Sequence, residues 1–104
     1  MPTSAQGAVI TVNGTAMNEV TEYSLQMLPG KAAPGNVGSL EVKALANNTV
    51  SATDYGRLRT VIVSHGGNVI ARCAAIVEGI TVDAVRNDVL RYTFTFRLAW
   101  IRRT

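Results

Sequence analysis

The sequence predicts an α+β domain that is mainly β, with antiparallel strands forming a sandwich or partly closed barrel and one short helix. Three observations carry this reading. Residues 89–103 alternate in polarity, with Leu90, Tyr92, Phe94, Phe96, Leu98 and Trp100 on one face. Arg91, Thr93, Thr95, Arg97 and Arg103 fall on the other, with Val89, Ala99 and Ile101 among them. Successive strand side chains point to opposite sides, so the pattern makes one long strand with an apolar and a polar face. Next, Asn13-Gly14 follows a β-branched run and supplies the positive φ angles of a hairpin turn. Finally, 47% of the 104 residues are hydrophobic and only 16% charged, which is too little charge to cover a small monomer. Burial of surface against other copies follows as the expectation.

The elements follow in chain order. Residues 1–7 are small and polar and read as a mobile arm, leaving 8–104 as one domain. Residues 8–12 form a short strand, and Asn13-Gly14 turns it into a partner spanning about 17–28. There Met17, Glu19, Thr21, Tyr23, Leu25 and Met27 share a face, opposite Val20, Glu22, Ser24, Gln26 and Leu28. Two prolines and three glycines then exclude regular structure across Pro29, Gly30, Lys31, Ala32, Ala33, Pro34, Gly35, Asn36, Val37 and Gly38. Loops of this length are usually functional or disordered, so the segment reads as a mobile hairpin tip or as an arm toward a neighbour.

Residues 39–46 alternate as a strand, with Leu40, Val42 and Ala44 against Glu41, Lys43 and Leu45, closed by Asn47-Asn48. Residues 51–63 are the helix candidate. Ser51 or Thr53 can cap it, Asp54 suits the first turn, and Leu58, Val61 and Ile62 make the buried stripe. Gly56 weakens it, and His65-Gly66-Gly67 ends it. Residues 68–85 form a second long strand or a bent pair, with a bulge expected at Glu78-Gly79. Arg86-Asn87-Asp88 turns into the last strand. The order is β-β-β-α-β-β.

No catalytic constellation stands out. His65 beside Ser64 is no triad, since sequence neighbours rarely face one another. One His and one Cys cannot supply a metal's ligands, and no cofactor is expected. Glu19, Glu22 and Glu41 on neighbouring strands could form an acid/base pair, but such residues are more often the polar positions of a solvated sheet face. Neither Gly66-Gly67 nor Gly35 to Gly38 fits a phosphate-cradling loop. Aromatics and arginines interleave in the last strand as in single-strand binders, yet on opposite faces, which buries the rings. The net charge of +3 falls short of a nucleic-acid binder's footprint, although Arg91, Arg97, Arg102 and Arg103 cluster late in the chain. Cys73 sits in an apolar run and reads as a buried thiol in a reducing cytoplasm. No apolar run reaches membrane-spanning length, and no secretory leader is expected.

The order and spacing of these features resemble the tail tube proteins of long-tailed bacteriophages, most of all the compact tubes of Mu-like contractile tails. The resemblance rests on the early Val12-Asn13-Gly14 hairpin, the Pro29 to Gly38 loop and the "VSATD" segment at Val50 to Asp54. The "GNVIARCAAIV" strand from Gly67 to Val77 and the closing "YTFTF" strand from Tyr92 to Phe96 complete it. It implies a structural virion protein, assembled in the host cytoplasm, whose hexameric rings stack into a tube. Sheets of six subunits would join around a lumen through which DNA passes without specific binding. It further implies that the Pro29 to Gly38 loop locks ring to ring and that residues 1–7 add a second inter-subunit contact. A lumen should not hold phosphates tightly, so Glu19, Glu22 and Glu41 are expected to line it. Arg91, Arg97, Arg102 and Arg103 are expected outside or between subunits, where a sheath could dock. The chain departs from the family in its net basic charge and in ending directly after the last strand. A baseplate or neck ring, a small basic nucleic-acid-binding β-barrel and an enzyme completed between chains remain the alternatives.

Overall fold

The computed structural model describes residues 7–28, 36–47, 49–85 and 89–103, with the side chains of residues 52, 85 and 103 left aside. Among them lies one antiparallel sheet of seven strands, curled into a half-barrel with essentially no helix. In chain order the strands are β1 (Ala8–Val12), β2 (Thr15–Ala16), β3 (Val20–Met27), β4 (Gly38–Ala44), β5 (Leu58–His65), β6 (Asn68–Val85) and β7 (Val89–Arg103). Across the sheet they run β2-β1-β5-β6-β7-β4-β3. The long hairpin of β6 and β7 is therefore the centre, and both flanks are built onto it.

The core fills the inner face of the curl. Ile10 and Val12 of β1, Val61 and Val63 of β5 and Ala71, Cys73, Ala75 and Val77 of β6 are buried from one flank. Phe94, Phe96 and Leu98 of β7 and Leu40, Val42 and Ala44 of β4 are buried from the other. Small residues on β6 face large ones on β7, which lets the two halves approach closely while filling the space between. The expected strands at 68–85 and 89–103 are present over those bounds, and the one expected at 39–46 runs instead from Gly38 to Ala44.

Two expectations fail. No helix spans 51–63. Asp54 does cap the start of a turn, with the Ser51 N–H donating to Asp54 Oδ2 at 2.7 Å, while the Asp54 N–H closes the turn onto the Ser51 carbonyl at 2.9 Å. The result is a single 3₁₀ turn, Ala52–Asp54. Gly56 then takes φ +73°, which ends helical geometry, and the β-branched run Thr60-Val61-Ile62-Val63 continues as β5. The second failure concerns the early hairpin. Asn13 (φ 50°) and Gly14 (φ 88°) make the expected turn, but its partner is only β2. The chain leaves that edge with Met17 plugged into the core and Glu19 at φ 57°. It then crosses to pair β3 with β4 at the far edge.

Bulges decide which side chains face inward. The register slips between Val20 and Glu22, which brings Val20 onto the inner side with Tyr23, Leu25 and Met27. Glu78 is the extra residue between the Val77–Phe96 and Gly79–Thr95 pairs, at the expected bulge. A further slip pairs Ala75 with Leu98 but Ala74 with Trp100, leaving Ala99 extra. Beyond Ala99 the phase of β7 inverts: Ile101 turns inward opposite Cys73, while Trp100 turns outward and is 53% exposed. The apolar face expected to run through Trp100 therefore stops at Leu98.

Two consequences are measurable. Gly38 is buried where β3, β4 and β7 meet, and a Cβ there would fall on the Gln26 carbonyl oxygen. Backbone cannot step aside as a side chain can, so Gly38→Ala should destabilise by about 1–3 kcal/mol, read by urea denaturation. Asp54 is held below its ordinary 3.8 first by the Ser51 N–H and then by Arg59, whose Nε lies 2.6 Å from Oδ1. A lowered carboxyl stabilises the fold above the unfolded pKa, and the gain fades as pH falls through the folded one. The urea midpoint of wild type should thus exceed that of Asp54→Asn near neutrality, and the gap should close below about pH 4.

Candidate functional site

The features that could act on another molecule lie at the sheet's edges, on the projecting end of its central hairpin and on its outer face. β5 pairs with β6 only as far as Ile76, and β4 pairs with β7 only up to Tyr92. The end of the β6–β7 hairpin therefore extends past both flanks. Its inner side continues the core's pattern with nothing among the described residues to cover it. Val82 (51%) and Leu90 (45%) stand exposed beyond Tyr92, whose ring lies parallel to that of Phe94 at 6.1 Å between centroids. Its outer side is polar, with Arg91 3.7 Å from Asp83.

The edges differ in how they are covered. β3 has no strand on its outer side among the described residues, and its eight residues carry neither proline nor lysine to discourage pairing. On β6, Tyr55 and Gly56 partly cover the free side. The Gly56 N–H donates to the Val77 carbonyl (3.0 Å) and the Ile80 N–H to Tyr55 Oη (3.2 Å). Residues 81–85 then continue without a strand on that side among the described residues.

The predicted site residues divide as follows. Within the 29–38 loop, residues 29–35 lie outside the described residues, as do residues 1–6 of the arm and the turn at 86–88. Asn36 is exposed. Val37 donates to the Leu98 carbonyl (2.8 Å) and accepts from the Leu28 N–H (2.9 Å), so the loop's end is stitched to both strands. Gly38 belongs to β4 and not to the loop. Glu19 sits in the turn before β3, where its carbonyl accepts from the Leu45 N–H (3.0 Å).

Glutamates and arginines were expected on opposite sides of the sheet, and the strands do not separate them. Glu22 and Glu41 point to the outer face, in register with Lys43 and Thr95 respectively. Arg91, Arg97 and Arg102 point to that same face. The reason is parity: in each strand these residues alternate with core positions, so all must lie opposite the core. They are largely neutralised there, by Glu22–Lys43 (3.7 Å), Glu78–Arg97 (3.1 Å) and Asp83–Arg91. Arg102 instead stands directly opposite Arg72. The side chain of Arg103 is outside the described set.

His65 lies at the end of β5, on the inner side. Its Nδ1 is 3.3 Å from Tyr23 Oη, a link between β5 and the far edge strand across the mouth of the curl. Among the described residues no hydrogen bond joins it to a carboxylate. Among the described residues no group of three His, Cys, Asp or Glu side chains is placed to hold a metal ion. An open groove of about 240 Å³ lies where β7 runs on beyond the start of β4, lined by Met27, Leu28, Val37, Ala99, Trp100 and Ile101. Sequence reasoning missed this groove, because it depends on the Ala99 bulge and on where β4 begins. No protein-family model matches the chain, and no curated protein matches its sequence.

Cys73 is 2% exposed, and burial pushes its thiol up to about 11. Thiolate is the reactive form, so a chromogenic disulfide reagent at pH 8 should label it far more slowly in native protein than in urea. Equal rates would place the thiol at the surface.

Proposed function

We propose that this chain is a structural subunit that completes its sheet by pairing with copies of itself, as a phage tail tube protein or a closely related ring component. The observation that carries the reading is the incomplete curl: a half-barrel with an uncovered edge on β3 and an uncovered apolar side on its central hairpin. A lone chain leaves both exposed to water, at the cost of unburied apolar surface and an edge open to aggregation. Pairing the β3 edge of one copy with the free stretch of β6 in the next would bury both. Such head-to-tail contacts join unlike surfaces, and they close into a ring when the rotation between copies divides a full turn. Six copies per ring, stacking into a tube and docking of a sheath rest on the family resemblance, as does residence in a virion tail assembled in the host cytoplasm.

The paired charges of the outer face support transit rather than retention of DNA. If that face lines a channel, Glu22 comes to it with Lys43, Arg97 with Glu78 and Arg91 with Asp83, beside the carboxylate of Glu41. Paired charges release few counterions on meeting a phosphate backbone, so they add little affinity, and a carboxylate adds none. The role is mechanical and needs neither a catalytic group nor a cofactor.

Negative-stain electron microscopy across a concentration series tests the proposal. Rings or hollow tubes with a central pore are expected, and a uniform field of monomer-sized particles at every concentration would overturn it. Proline in β3 tests the edge. Adjacent residues of an edge strand direct their N–H groups alternately toward and away from the partner strand. Of Ser24→Pro and Leu25→Pro, one should therefore leave a cooperatively folding monomer that no longer assembles, and the other should unfold the strand.

A further inference from the structure

We propose that the outer face at Trp100, Arg72 and Arg102 is a binding site for single-stranded nucleic acid. The starting point is a contact that a folded sheet normally avoids. Arg72 and Arg102 occupy directly opposed positions on β6 and β7, where like charges destabilise the pair. Neither has an ion-pair partner among the described residues, whereas Arg59, Arg91 and Arg97 each meet a carboxylate. Their neighbours in register on that face are Ile62 beside Arg72 and Ala74 beside Trp100, so no acid stands next to them. An anion would convert the repulsion into a bridge, and two guanidinium groups side by side suit a phosphate.

The second observation is the Ala99 bulge. Strict alternation would carry Trp100 and Arg102 together onto the core side, away from Arg72. The bulge turns both out onto the face of Arg72, with Trp100 two strand positions from Arg102, or about 7 Å along β7. The ring is 53% exposed and forms one wall of the 240 Å³ groove with Leu28 and Val37. A base can stack on the indole within that groove while the adjoining phosphate meets the arginines, a spacing on the scale of one nucleotide. Stacking needs an unpaired base, which selects single strands over duplex. This inference does not rest on the assembly reading.

Trp100 is the single tryptophan, so its fluorescence reports contact directly. A thymidine oligonucleotide titrated into the full chain at low salt should quench it, and anisotropy of a labelled oligonucleotide should give the same affinity. Arg72→Ala and Arg102→Ala should each lower the salt dependence, log K against log salt, by about 0.7. Trp100→Ala should weaken binding roughly tenfold or more, and Trp100→Phe should recover much of it. Either arginine variant should melt no lower than wild type, because a like-charge contact is relieved. Absence of quenching at low salt would overturn the proposal, as would duplex binding as tight as single-strand binding. A double variant Arg72→Ala/Arg102→Ala that binds oligonucleotide normally but changes particle size would also overturn it, and would assign the patch to contact between copies.

Discussion

Everything in this fold hangs on the pairing of β6 with β7. These two strands form the longest ladder in the sheet, and each flank attaches to one of them alone: β5 and β1 to β6, β4 and β3 to β7. The ladder also carries the two bulges, after Val77 and after Leu98, that fix which residues of the central hairpin enter the core. A bulge strengthens local twist and bends its strand. Two of them in the central pair help a single sheet curl far enough for Phe94, Phe96 and Leu98 to meet Val61, Val63 and Ile10 across a shared interior. Without that curl the seven strands would form an open sheet with one apolar face in water.

Much of this was legible in the residues. The alternation of 39–46 and 89–103 and the apolar run of 68–85 specify strands, because period-two polarity has few other outcomes. Glu78-Gly79 signalled its bulge through a glycine inside a strand. What failed did so for physical reasons. The Asp54 carboxylate does cap the Ser51 N–H, yet capping is local and says nothing of length, and Gly56 with the Thr60-to-Val63 run outweighed it. Likewise Asn13-Gly14 fixes a turn but not the length of its second strand, which the burial of Met17 cuts short. The crossing to the far edge depends on contacts between distant residues, and no local signal encodes it. The Ala99 bulge was invisible because alanine fits either face, so the written alternation ran on past the point where the side chains changed sides.

The candidate surfaces were less legible than the fold. Charges at alternate strand positions were assigned to two faces by their sign, whereas parity with the core places Glu22, Glu41, Arg91 and Arg97 together. Away from Arg72 and Arg102, pairing with opposite charges rather than segregation is how this face manages its charge. The exposed apolar side of the hairpin likewise follows from where β5 and β4 stop, which depends on pairing rather than on the composition of β6 and β7.

The bulge at Ala99 behaves as a frameshift within a finished protein. One inserted residue leaves every side chain before it in place and reads those after it in the opposite phase. From Trp100 onward the hydrophobic pattern continues in the opposite phase, with Ile101 inward and Trp100 and Arg102 outward. That short segment can change its chemistry without repacking Phe94, Phe96 or Leu98. An insertion or deletion of a single residue there would exchange the exposed and inward sets wholesale, a larger change of surface than any point substitution could bring about.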